Sequence, residues 1–164
     1  MRGRATLSEI SYRLAVESDV PALAEMRWTW RTAEDGTRAV VSHEDYVKEC
    51  CAFLRQGLAE GSWLCWIAEV EGQFVSHIFV RRVRKVPKPS RLHDEIGYVT
   101  NVYTRPPYRG QGVGSALLAC VVQWARDQEI DVLFVWPSQQ AVPFYERAGF
   151  RADNEILECQ IRPD

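Results

Sequence analysis

Val99-Thr100-Asn101-Val102-Tyr103-Thr104-Arg105-Pro106-Pro107-Tyr108-Arg109-Gly110-Gln111-Gly112-Val113-Gly114-Ser115-Ala116-Leu117-Leu118 is the stretch from which the fold is read. It opens as a β-branched and aromatic run, meets two prolines, crosses a basic loop dense in glycine, and ends in apolar residues at helical spacing. Proline lacks an N–H and cannot continue a central strand, so the strand stops near Thr104. Gly110, Gly112 and Gly114 let the backbone turn tightly and bring its N–H groups close to a ligand. A helix starting near Gly112 offers unpaired N–H donors and the positive end of its dipole, which suits an anion of phosphate size. Arg109 adds a positive charge at the mouth of this nest. Two phosphate loops are excluded by the residues themselves. No Lys-Ser or Lys-Thr follows the glycines, as a Walker loop needs, and Ser115 stands where a dinucleotide-binding G-x-G-x-x-G requires its last glycine.

Working outward, residues 12–16 alternate as a first strand. Ser18-Asp19-Val20-Pro21 reads as a capped helix start, after which Leu23, Met26, Arg27 and Trp30 recur on one face. Residues 34–41 read as a polar loop. Ser42 with Asp45 caps a second helix, whose face is Tyr46, Val47, Cys50, Leu54 and Leu58 and whose end is Gly61. Residues 63–70 and 74–80 are two strands joined at Glu71-Gly72-Gln73; the first is apolar on both faces and belongs in the middle of a sheet. Residues 81–91 form a basic linker, a solvated loop or else a contact for ligand phosphates or an acidic acceptor. Glu95 begins the strand of the opening stretch, and Val113, Leu117, Val121 and Trp124 mark the buried face of the helix after it. Residues 132–136 are a fully apolar strand. A helix over 139–148, then a short strand, a turn at Asp153-Asn154 and a last strand over 150–161 complete the chain. Hairpins mixed with helical crossovers predict an α/β fold, a three-layer α/β/α sandwich around a mixed, mostly antiparallel sheet.

The loop spells R-x-x-G-x-G over Arg109-Gly110-Gln111-Gly112-Val113-Gly114, and after a strand and before an amphipathic helix it resembles the acyl-CoA pyrophosphate loop of the GNAT N-acetyltransferase superfamily. The element order is also that of the family, whose fold is the acyl-CoA N-acyltransferase fold. A second stretch, Ser138-Gln139-Gln140-Ala141-Val142-Pro143-Phe144-Tyr145-Glu146-Arg147-Ala148-Gly149-Phe150, resembles the family's N-x-x-A-x-x-F-Y-x-x-x-G-F, with Ser138 in place of the usual Asn. The resemblance implies that acetyl-CoA is the co-substrate and that Arg109, Gly110, Gln111, Gly112, Val113, Gly114 and Ser115 cradle its diphosphate. It also implies that the strand splays from its neighbour near Asn101 and Val102 to admit pantetheine. The Val102 N–H would polarise the thioester carbonyl, Val102, Tyr103 and Thr104 would line the arm, and Ser138 would keep part of the Asn contact. Tyr145 matches the tyrosine that protonates the leaving thiolate, a role a hydroxyl near sulfur can perform. The segment between the first two helices helps form the family's acceptor pocket, which makes Glu34, Asp35, His43 and Glu44 acceptor contacts to test.

The implied activity is that of an acetyl-CoA-dependent N-acetyltransferase, an acyltransferase in which a primary amine attacks the thioester directly in a ternary complex. The amine must be deprotonated, and Glu95, entering the central strand, is the base to test, directly or through water. A small-molecule acceptor is preferred to a protein or peptide amine. The alternative is a non-catalytic acyl-CoA-binding sensor or scaffold. At 164 residues the chain reads as one domain over 1–164. Its net charge of −2 gives no global field for nucleic acid or anionic lipid. Five cysteines, odd in number and without a C-x-x-C pair, read as free thiols of a reducing, cytoplasmic compartment. No segment is apolar for long enough to cross a bilayer. His43, His77 and His93 are too scattered to predict a metal site. Members of the family often form homodimers, which makes a homodimer an expectation here.

Overall fold

The computed structural model describes residues 10–152 together with 157, 159 and 161. Among the described residues, five strands form one sheet whose spatial order follows the chain: β1 (Ser11–Leu14), β2 (Trp63–Val70), β3 (Gln73–Arg84), β4 (Glu95–Thr104) and β5 (Val132–Phe134). The first four pair antiparallel, and only β5 runs parallel to its neighbour β4. Helices α1 (Val20–Thr29) and α2 (His43–Ala59) cover one face, with Leu23, Leu54, Cys65, Ile67 and Phe79 buried between. Helix α3 (Val113–Asp127) and the short α4 (Val142–Arg147) cover the other, over Val75, Ile78, Val80 and Val99. This is the expected three-layer sandwich around a mostly antiparallel sheet.

Local chemistry accounts for the elements. Glu71 and Gly72 both take positive φ, 50° and 77°, the two-residue turn whose twist matches a hairpin. The Ser42 hydroxyl accepts the Asp45 N–H at 3.1 Å and caps α2, and Gly61 ends that helix at φ 63°. Burial of β2 on both faces, Cys65 and Ile67 to one side and Ala68 and Val70 to the other, follows from its apolar sequence.

Several sequence expectations are corrected. Asp19 does not cap α1; its carboxylate accepts the Val16 N–H at 2.8 Å and pairs with Arg13 at 2.7 Å, closing a 3₁₀ turn before the helix. The chain after α1 is not yet a loop, because a wide π turn over Trp30–Glu34 carries Glu34 to the sheet. The first four residues of the basic linker belong to β3, where Arg82 and Arg84 pair with Glu95. The rest is neutralised at home: Lys85 meets Asp94 and Asp131, Lys88 meets Asp94, and Arg91 meets Asp131. These cations are therefore committed to the protein's own carboxylates. β5 stops at Phe134, short of Trp136, and the last helix divides into a 3₁₀ turn at Gln139–Ala141 and α4, where Pro143 lacks a donor. Residues 150–152 are irregular where a short strand was expected, and the turn expected at Asp153-Asn154 and most of the last strand after it lie outside the described residues.

Candidate functional site

The site begins with a defect in β4. Asn101 and Val102 stand opposite the single residue Ile78, so the strand bulges, and Asn101 takes a φ of 51°. The His77 side chain holds this bulge: its Nδ1–H donates to the Asn101 carbonyl at 2.6 Å. Burial pushes the His77 imidazole down to about 4, against a smaller upward pull from that bond, so it is neutral at physiological pH. On its other side β4 pairs with β5 only from Ile96 to Tyr98. Beyond Tyr98 the two strands part, three residues earlier than the resemblance implied, and among the described residues no strand lies beside the main chain of 99–104 on that side. The parting is walled by aromatics: Tyr98 stacks on Phe134 at 5.1 Å, and Trp136 meets both rings edge-on.

The glycine loop lies at the end of that stretch. Gly110 and Gly112 take φ of 70° and 82°, which favour glycine, and Gly112 is the N-cap of α3. The first intrahelical bond runs from the Ala116 N–H to the Gly112 carbonyl, so the N–H groups of Val113, Gly114 and Ser115 have no helical acceptor. No acidic residue lies in the first turn to repel an anion. Gly114 serves packing instead: a Cβ there would meet Thr104 Oγ1 at 3.1 Å and Phe144 Cε2 at 3.5 Å. The expected ligand groups Arg109 and Gln111 are turned back on the protein. Arg109 donates to the Thr104 carbonyl at 2.7 Å and pairs with Glu34 at 2.6 Å, and Gln111 donates to the Pro107 carbonyl. Glu34 also accepts from the Tyr103 hydroxyl, so one carboxylate ties the end of the π turn to both β4 and the loop.

Tyr145 is buried on α4 between Phe144 and Phe150. Burial, with the nearby Tyr98 phenol, pushes its hydroxyl up to about 12 and keeps the proton on it. Ser138 is exposed at the turn before α4, and its hydroxyl caps nothing. Glu95 is held by two arginines. It lies at the opposite end of β4 from the bulge, about 20 Å of strand away at 3.3 Å per residue, and accepts Arg82 at 2.7 and 2.9 Å and Arg84 at 3.2 Å. Burial alone would raise its carboxyl, but those two guanidinium groups outweigh it and hold the carboxyl below its usual range. A carboxylate so held binds a proton weakly. Of the acceptor contacts expected, His43 pairs with Glu25 and packs on Trp28, and Asp35 pairs with Arg31.

On the α1/α2 face of the bulge is a cavity of about 470 Å³, lined by Arg27, Tyr46, Cys50, Phe53, Trp63, Phe79 and Asn101 among others. Arg27 donates to the Asn101 side chain, and the buried Tyr46 hydroxyl lies beside Arg27 and Cys50 without a well-formed hydrogen bond among the described residues. Sequence reasoning placed Arg27, Tyr46 and Cys50 on core-facing helix stripes. An arginine on an apolar stripe was the signal available.

Residues 20–150 match the acetyltransferase (GNAT) family. A glucosamine 6-phosphate N-acetyltransferase of Trypanosoma brucei brucei is 35% identical over 75 residues, 46% of this chain and 51% of that protein, so the match spans about half of that relative. An aminoglycoside N(6')-acetyltransferase type 1 of Stenotrophomonas maltophilia is 31% identical over 120 residues, 70% of this chain and 67% of that protein. A crystal structure of a predicted acetyltransferase with acetyl-CoA from Clostridium acetobutylicum superposes with a TM-score of 0.75 at 26% identity, covering 93% of this chain and 96% of that one. Matched over most of its length by the family model, the chain belongs to the GNAT acetyltransferase family.

Proposed function

We propose that the protein transfers the acetyl group of acetyl-CoA to a primary amine of a small molecule. The observation that carries this reading is the parting of β4 from β5 beyond Tyr98, with the glycine nest at its end. The diphosphate sits on the N–H groups of Val113, Gly114 and Ser115, with Gly110 and Gly112 giving it room. Arg109 leaves Glu34 to meet it, and Gln111 and Ser138 lie along its approach. Pantetheine pairs with the free edge at Val102 and Thr104, beside Tyr103, as an added strand would. The Val102 N–H points its dipole at the thioester oxygen. The amine enters from the cavity between α1 and α2, where desolvation favours its neutral form. Its nitrogen bonds to the carbonyl carbon, the C–S bond breaks, and the electron pair stays on sulfur. Tyr145 donates its proton to that thiolate, and the proton lost by nitrogen returns to Tyr145 through solvent. In this reading Glu95 braces β3 against β4 rather than acting as base. The free cysteines suit a reducing compartment, and we place the protein in the cytosol.

Incubation with acetyl-CoA and a panel of amines, following free thiol release, tests the reading. Tyr145→Phe should lower kcat by roughly 10²-fold and leave coenzyme A affinity unchanged. Tight coenzyme A binding without thiol release for any amine would make the protein a sensor or scaffold instead.

A further inference from the structure

We infer that the acceptor is an amino acid with an apolar side chain, its carboxylate held by the Arg27 guanidinium and the Tyr46 hydroxyl; the inference rests on acetyl transfer at the β4 bulge. Arg27 reaches from α1 to Asn101, the bulge residue, so its charge sits where the reacting atoms must meet. No carboxylate among the described residues pairs with it. Beside it the Tyr46 hydroxyl is buried next to Arg27 and Cys50 with no well-formed hydrogen bond among the described residues, and such a donor is costly to leave unused. A half-buried guanidinium with donors to spare and the phenol next to it match one carboxylate.

The rest of the cavity sets the remainder of the molecule. Phe53, Leu54, Trp63 and Phe79 wall it, which suits an apolar or aromatic side chain. Glu49, at the exposed rim, is the one carboxylate of the lining, and a polycation would need more. In an α-amino acid the amine is two bonds from the carboxylate carbon. A carboxylate on Arg27 therefore brings the nitrogen to the bulge, where the thioester lies in the proposed reaction.

The test compares L-phenylalanine with phenethylamine, its counterpart without the carboxylate, and with glucosamine 6-phosphate, each under saturating acetyl-CoA. The kcat/KM for L-phenylalanine should exceed that for phenethylamine by on the order of 10²-fold. Tyr46→Phe, which keeps the ring, and Arg27→Lys should each reduce that ratio by roughly tenfold, with coenzyme A affinity as the check on folding. Equal use of the two amines, preference for the phosphosugar, or a ratio unchanged in both variants would overturn the inference. A second measurement needs no turnover: calorimetric titration of the coenzyme A complex with N-acetyl-L-phenylalanine and with N-acetylphenethylamine. The first should bind at least tenfold tighter; equal affinity overturns the carboxylate subsite alone, whereas absence of thiol release with every amine overturns the transfer reading.

Discussion

Replacing Gly112 with alanine adds one methyl group at the N-cap of α3, where the backbone stands at φ 82° and ψ 0°. An L residue in the left-handed region costs about 1–2 kcal/mol relative to glycine. No heavy atom lies within 4 Å of the position the Cβ would take, so no collision adds to this. Gly36 offers a matched control: its φ is 70°, the space around its Cβ is equally open, and it lies in the connection between α1 and α2. Both alanine variants should therefore lose the same stability, a Tm drop of roughly 2–8 °C for a chain of this size. They should differ at the nest. The new methyl stands where a phosphate approaches Val113, Gly114 and Ser115, and each hydrogen bond to a charged oxygen that it lengthens is worth about 1.5–3 kcal/mol. Calorimetric titration with coenzyme A should show Kd raised roughly 10- to 100-fold in Gly112→Ala and unchanged in Gly36→Ala. Equal affinity in the two folded variants would refute the placement of the diphosphate on this turn.

Glu34→Gln should tighten coenzyme A binding about two- to fivefold at low salt, because the carboxylate competes with phosphate for Arg109; weaker binding would contradict this. Glu95→Gln should cost about 2 kcal/mol at pH 7 by denaturant titration and change kcat less than about twofold. Its folded carboxyl is held low, so that stabilisation is present above the unfolded value and fades as pH falls through the folded one. A large fall in kcat at unchanged stability would restore it as a base. His77 carries the same sign through a different cause, burial of its ring. The unfolded chain binds a proton at its ordinary value of 6.5 and the folded one only near 4, so stability falls as pH drops between them, by about 3 kcal/mol in full. His77→Gln should flatten that slope in urea titrations at pH 6.5 and 5; an unaltered slope would show that another group carries it.

What the sequence revealed depended on how local the physics was. The nest at Gly110 and Gly112, the hairpin at Glu71 and Gly72, and the cap at Ser42 are each set by residues a few positions apart. The Arg82–Glu95 pair is not, because it follows from the β3–β4 register, and register is a property of two strands together. The basic run thus reads as a solvated linker in sequence, although its first four residues complete a strand. Arg27 and Asn101 lie 74 positions apart and meet only because α1 crosses the bulge. The parting at Tyr98 was placed within a few residues by analogy, but its true start depends on where β5 ends, which the apolar run to Trp136 concealed.

The strand order of the sheet bears on how the chain acquires its shape. Each of the first four strands docks beside the one before it, so a polypeptide leaving the ribosome can zip them up in the order they emerge. Val132–Phe134 must instead wait for the whole of Val113–Asp127 to coil and cross over. The cleft is bounded by that late arrival, and its rim should be the first to open in hydrogen exchange and the last to close in refolding.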